Sequence, residues 1–160
     1  MNTPLRKLWR RAGGKPLAFL LFALLLAAPA RAEAPRDPSP LTLAGQPVSV
    51  LAAHPDLSIG FRSVTRGRQT YILRHLRAAN PGALKVAQDR FIFGWTCDGA
   101  DCAQDGLFLG YDSRTERFYL LLLDEGSASL TVPTRGAPWP GPLAEAVLAV
   151  KPDLRSFHAE

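Results

Sequence analysis

FIFGWTCDGADCAQDGLFLGYD, Phe91 to Asp112, carries the only two cysteines of the chain, Cys97 and Cys102, between two runs of apolar and aromatic residues. On the first run Phe91, Phe93 and Trp95 share one face, and Ile92, Gly94 and Thr96 the other, the period of two that marks a strand. LFLGYD follows, then the polar turn Asp112–Glu116, and then RFYLLLLD, Arg117–Asp124, too apolar to leave either face in water. Glu125-Gly126-Ser127 turns the chain once more into SLTVPT. Short polar connections between strands favour hairpins over the long crossovers of a parallel sheet. The stretch therefore predicts an antiparallel meander of about four to five strands.

Helical signals flank the meander. TYILRHLRAA, Thr70–Ala79, spaces its apolar residues as a helix does and stops at Asn80-Pro81-Gly82. LAEAVLAV, Leu143–Val150, reads as a short helix closed by Lys151-Pro152. LTLAGQPVSVLAAHPD, Leu41–Asp56, fits a short strand or a helix, and Pro47 and Pro55 limit any helix there to about two turns. The predicted class is α+β, with helices packed on one face of the sheet. Arg117–Asp124 should then be central, its second face covered by a partner such as a second copy of the chain, which makes a homodimer an expectation.

The first thirty-two residues belong to a different problem. Arg6, Lys7, Arg10, Arg11 and Lys15 lead into LAFLLFALLLAA, Leu17–Ala28, and Ala30-Arg31-Ala32 has the small-x-small form of a signal-peptidase site. Twelve apolar residues fall short of the roughly twenty that span a bilayer. Residues 1–32 read as a cleaved signal peptide, 33–40 as a Pro-rich lead-in, and 41–160 as a single domain. The expected address is the periplasm, with no membrane contact after cleavage.

Charge excludes another class. The formal +5 arises from nineteen basic and fourteen acidic residues, and six of the basic ones lie in residues 1–32, which hold no acid. The remaining 128 residues carry thirteen against fourteen, a net of −1, so the basic balance is no footprint of nucleic-acid binding. The charges are unevenly spread: Arg62–Arg90 has seven basic residues and one acid, and Asp98–Glu125 has seven acids and two arginines.

Two cysteines in an exported chain favour a disulfide. Residues five apart in a helix rise about 7.5 Å along its axis, beyond ordinary disulfide reach. Facing residues of a hairpin approach to about 4.5 Å at Cα. The expectation is a hairpin with Asp98, Gly99, Ala100 and Asp101 as its exposed tip. Such a ring removes little chain entropy, roughly 2 kcal/mol, so it shapes a surface more than it stabilises a domain. A plain register staple remains open as a reading. A metal site lacks ligands, because His54, His75 and His158 stand at no useful spacing from the cysteines. A redox pair prefers a two-residue gap. No metal and no cofactor is expected.

Catalysis has little support. Ser58, Ser63, Ser113 and Ser127 lie in no nucleophile motif. His54-Pro55-Asp56 reads as a turn, and His75 as a surface or edge residue of its helix. Trp95, Trp139, Phe118 and Tyr119 read as core or interface aromatics; the loop setting of Trp139 in APWPGP allows partner contact, with core cover the favoured reading. The expectation is a binding protein with no catalytic residues.

An aromatic strand, Cys-x4-Cys, an apolar strand ending in an aromatic and a polar turn, and a further apolar strand together resemble the Ivy family of periplasmic inhibitors of vertebrate (c-type) lysozyme. The resemblance covers roughly Ala83 to Pro133. It implies a sheet with flanking helices, a protruding disulfide loop that plugs the active-site cleft, and c-type lysozyme as partner. The family loop reads Cys, Lys, Pro, His, Asp, Cys; Cys97, Asp101 and Cys102 match it. Asp98 replaces the lysine, Gly99 the proline, and Ala100 the histidine that reaches the lysozyme carboxylates. The departure removes the family's donor while keeping its scaffold.

Overall fold

A computed structural model describes residues 39–154, apart from 79 and 135. The expected leader, residues 1–32, and the lead-in up to 38 lie outside the described residues. From Ser39 the chain enters a 3-10 turn, Pro40–Leu43, and then three short helices: α1, Val48–Ala53; α2, Ser58–Val64; and α3, Gln69–Leu76. The ambiguity at Leu41–Asp56 thus resolves as helix. Pro47 stands at the N-cap of α1, where a missing N–H is harmless. None of the described helices is long and apolar enough to cross a membrane.

α2 has no counterpart in the sequence reading, and the reason is physical. Its N-cap Leu57 offers no side-chain cap, and Gly60 sits in its middle. Burial of Leu57 and Phe61 holds it, with the Phe61 ring edge-on to Phe118 at 5.7 Å between centroids. Tertiary packing decides this helix where propensity does not.

Six strands follow: β1, Asn80–Pro81; β2, Lys85–Ala87; β3, Phe91–Cys97; β4, Gly106–Asp112; β5, Arg117–Asp124; and β6, Ser127–Val132. α4, Gly141–Leu148, comes last. All pairings are antiparallel; β3–β4–β5–β6 form the expected meander, and β1 and β2 share the outer edge of β3. The α+β class and the antiparallel meander stand as the sequence predicts.

The helices, however, occupy both faces. Ile92, Leu107, Leu109, Phe118, Leu120 and Leu122 pack under α1, α2 and α3. Their alternates Phe91, Phe108, Tyr119, Leu121 and Leu123 pack against Trp139 and the α4 residues Leu143, Ala144 and Val147. β5 is buried on both sides, as its composition requires, but its second cover comes from the chain itself. The reason for expecting a second copy disappears with it. Trp139, 1% exposed, is core cover and not a contact residue, and Trp95 donates its Nε1 hydrogen to the Ala146 carbonyl at 3.2 Å. Gly94 permits the close approach of α1, since a Cβ there would fall 2.6 Å from a Val48 methyl carbon.

Candidate functional site: the disulfide ring and its anchors

The β3–β4 hairpin is longer than expected. Its last ladder pair is Cys97 with Gly106, not Cys97 with Cys102. The Asp98 amide still donates to the Asp105 carbonyl at 3.2 Å, and the chain between them curls into a turn. Within that turn Asp101 acts as an anchor: its carbonyl accepts from the Gln104 and Asp105 amides, and its carboxylate from the Ala103 amide at 2.8 Å. The turn carries Cys102 back over the strand end, and Cys97 and Cys102 form the disulfide with Cα atoms 4.9 Å apart. Gly106 is needed at this crossing, because a Cβ there would collide with the Cys102 carbonyl. The cross-strand geometry read from the sequence is therefore corrected: the ring closes inside an eight-residue loop, 98–105, with one sulfur on the strand and one in the turn.

Asp98, Gly99, Ala100 and Asp101 are all exposed. Gly99 lies at φ +127°, which proline cannot adopt, so the ring follows a backbone path closed to the family's Lys-Pro-His loop. Gly99 and Ala100 give a slender tip bearing at most a methyl group.

Two neighbours brace this tip. The Arg74 guanidinium, at the end of α3, places Nε 3.0 Å from the Asp98 carboxylate and Nη2 3.3 Å from that of Asp105. From the other side, the Gly126 amide in the β5–β6 turn donates to the Gln104 carbonyl at 2.8 Å. Beneath the ring lies His75, 1% exposed and so not the surface residue its sequence neighbours implied. Its Nε2 stands 3.4 Å from an Asp105 oxygen. Burial lowers the His75 pKa, and this outweighs the opposite pull of Asp105. The imidazole is thus neutral near neutral pH, and the 3.4 Å contact is a polar proximity and not an ion pair. Its Nδ1 is buried without a hydrogen-bond partner. The His75 carbonyl accepts from Thr96 Oγ1 at 2.7 Å, which ties α3 to β3 just before the ring.

The charge division in the sequence takes a different form in space. Asp98, Asp101 and Asp105 gather in the loop, and Asp124 and Glu125 lie on the adjoining β5–β6 turn. Asp112 and Glu116 stand at the other end of the meander. There Asp112 is buried and bound by Arg90 through Nε at 2.8 Å and Nη2 at 2.6 Å. Thr115 Oγ1 and the Arg114 amide complete its shell, and together they hold the carboxyl far below the usual range. Two members of the basic stretch, Arg74 and Arg90, therefore neutralise acids of the other stretch. The anchors Arg74, His75, Gln104 and Asp105 were not legible as site residues. Only the acidity of the loop beside an arginine-rich helix hinted at Arg74. His54 is buried at the turn joining α1 to α2, and His158 lies outside the described residues.

A loop of this form on an α+β sheet defines a class: scaffolds that present a braced, disulfide-closed ring. The family model described as "Inhibitor of vertebrate lysozyme (Ivy)" matches residues 60–152, and the chain belongs to that family. The match reaches beyond the meander to include most of α2, all of α3 and α4. No curated protein and no solved structure matches the chain. Membership supports a lysozyme-inhibitor role in general; Ivy proteins are periplasmic inhibitors and not enzymes.

Proposed function

We propose that this protein is an inhibitor of c-type lysozyme that works in the periplasm, after cleavage of its leader, by seating the ring of Cys97–Cys102 in the enzyme's active-site cleft. The observation that carries the reading is the family match over residues 60–152. The exposed tip supports the mechanism, because a ring braced by a disulfide, Arg74 and Gly126 loses little freedom on binding.

Electrostatics bears on how the tip binds. Two unit charges 4 Å apart repel by about 4 kcal/mol at an effective dielectric of 20, a penalty for an acidic tip approaching the ionised lysozyme carboxylate. Arg74 offsets part of it by pairing with Asp98. Ala100 supplies no donor, so shape and backbone groups of Gly99 and Ala100 carry the contact. The five acids at this end favour encounter with a cationic enzyme, and that steering weakens with salt.

The absent donor at Ala100 favours a second reading, in which the same scaffold meets a different envelope partner through the ring. Titration of hen lysozyme on cell walls with the purified mature protein separates the two. Progressive loss of activity supports inhibition; full activity at excess protein overturns it for that enzyme.

A further inference from the structure

On the sheet face covered by α1, α2 and α3, these helices line a cleft of about 460 Å³, whose α3 side, Leu73 and Arg77, adjoins the hollow that Asp98 of the ring shares. That size falls within the roughly 300–1,000 Å³ of small-molecule sites. Its floor is apolar: Ala52, Phe61, Leu73 and Leu76 line it. The hydroxyl of Thr65 beside them is turned away into a 2.9 Å bond to the Phe61 carbonyl. Leu73 is 43% exposed although it lies on a helix whose inner face is well packed. Among the described residues, the charged side chains lining the cleft are Arg62 and Arg77.

These two arginines have no carboxylate partner among the described residues. Arg62 uses Nε for the Ser58 carbonyl at 3.1 Å, which fixes its stem at the rim. Residues 57–88 contain six Lys or Arg and no Asp or Glu, and Asp98, which shares a neighbouring hollow with Leu73 and Arg77, is paired to Arg74. An apolar floor with uncompensated guanidinium groups at the mouth complements a molecule that is apolar at one end and anionic at the other. A cationic or neutral amphiphile would leave the arginines without a counter-charge.

We propose that the cleft between α1, α2 and α3 binds a free single-chain anionic amphiphile, of the fatty-acid class. Its tail lies along Phe61, Leu73 and Leu76, and its acid group meets Arg62 and Arg77.

Dodecanoate, kept below its micelle threshold, is the probe, titrated into the full mature protein and followed by amide chemical shifts. The expected result is one-site saturation with shifts centred on Ala52, Thr65 and Leu73. Decanoate should bind roughly tenfold more weakly, since two fewer CH₂ groups are buried. Arg62→Gln with Arg77→Gln, both exposed and therefore compatible with folding, should weaken dodecanoate by about fivefold. Absence of saturation, equal affinity for dodecyltrimethylammonium, or an unchanged double variant would each overturn the assignment. So would binding to phosphatidylglycerol vesicles without binding of the monomer, which would mark a basic surface patch and not a cleft.

Discussion

Arg74 Nε lies 3.0 Å from an Asp98 carboxylate oxygen, so the last turn of α3 holds the residue that follows Cys97 in the disulfide ring. Both side chains are about half exposed, 50% and 45%, and a pair in that setting contributes at most about 1 kcal/mol to folding. Its effect falls on the order of the tip. Arg74→Ala should leave the melting temperature within a few degrees of wild type. It should also speed amide exchange at Gly99 and Ala100 and weaken lysozyme inhibition severalfold. Unchanged exchange would show that the disulfide alone fixes the tip.

Restoring a donor tests the other half of the ring. Ala100→His returns a donor to the loop position that the family pattern gives to histidine, and a hydrogen bond to a charged carboxylate is worth about 1.5–3 kcal/mol. Inhibition should strengthen by roughly tenfold or more. Adding Asp98→Lys, as the family pattern invites, should reduce the gain. The lysine would lose the Arg74 pair and set an ammonium beside the guanidinium. Inhibition constants for the single and double variants decide this, and equal values would remove Asp98 from the anchoring role.

The contrast between ring and anchors marks what the sequence can disclose. The period of two in FIFGWT, the unbroken apolar run RFYLLLLD and the short polar turns between strands made the meander legible, because each is a local property of the chain. The exposure of Asp98–Asp101 was equally legible from polar residues between two strands. Four features were not. β5 needed two covers, but nothing local says that Trp139 and α4 would supply the second. α2 has weak caps and a central glycine, so only the packing of Phe61 reveals it. Arg74 and His75 sit in a helix whose period does mark an inner face, yet Tyr71 and Leu73 fell on the outer side and His75 on the inner. A five-residue cysteine spacing likewise fits a cross-strand pair and a strand-to-turn pair, and Gly106 decides for the second only once the backbone crossing is seen.

Removing the sulfurs separates shape from stability. A six-residue ring is worth roughly 2 kcal/mol by chain entropy, well below the 5–15 kcal/mol of an ordinary domain. Cys97→Ser with Cys102→Ser should fold, with a urea midpoint lowered accordingly, while inhibition falls by at least an order of magnitude. Retained inhibition would assign recognition to another surface.

His75 predicts how stability responds to mild acid. Its pKa is lowered in the fold by burial, from an ordinary value of 6.5. Between the folded value and 6.5 the unfolded chain binds a proton that the native one refuses, so stability decreases as pH drops through that window. Urea midpoints should be flat above pH 7 and decline below about 6.5. His75→Gln, which keeps a polar side chain beside Asp105 but cannot titrate, should flatten the decline. A wild-type midpoint indifferent to pH 7.5 and 5.5 would contradict a neutral buried imidazole.

Asp112 supplies a second, separable acid limb at the opposite end of the meander. Its carboxylate takes two bonds from Arg90, one from Thr115 and one from the Arg114 amide, and these hold its pKa far below the ordinary 3.8. A depressed carboxyl pKa stabilises the fold above the unfolded value, and the benefit is lost as pH falls beneath it. Asp112→Asn leaves Arg90 facing a neutral amide at a site with 1% carboxylate exposure, and should cost about 3 kcal/mol at neutral pH. The variant should also lose the steep decline below pH 4 while keeping the His75 limb above it. Urea titrations at pH 7.5, 5.5 and 3.5 on both variants therefore assign each limb to its residue. If Asp112→Asn instead flattened the mild-acid limb, the neutral His75 would have to be abandoned, because only a group titrating near 6.5 can act there.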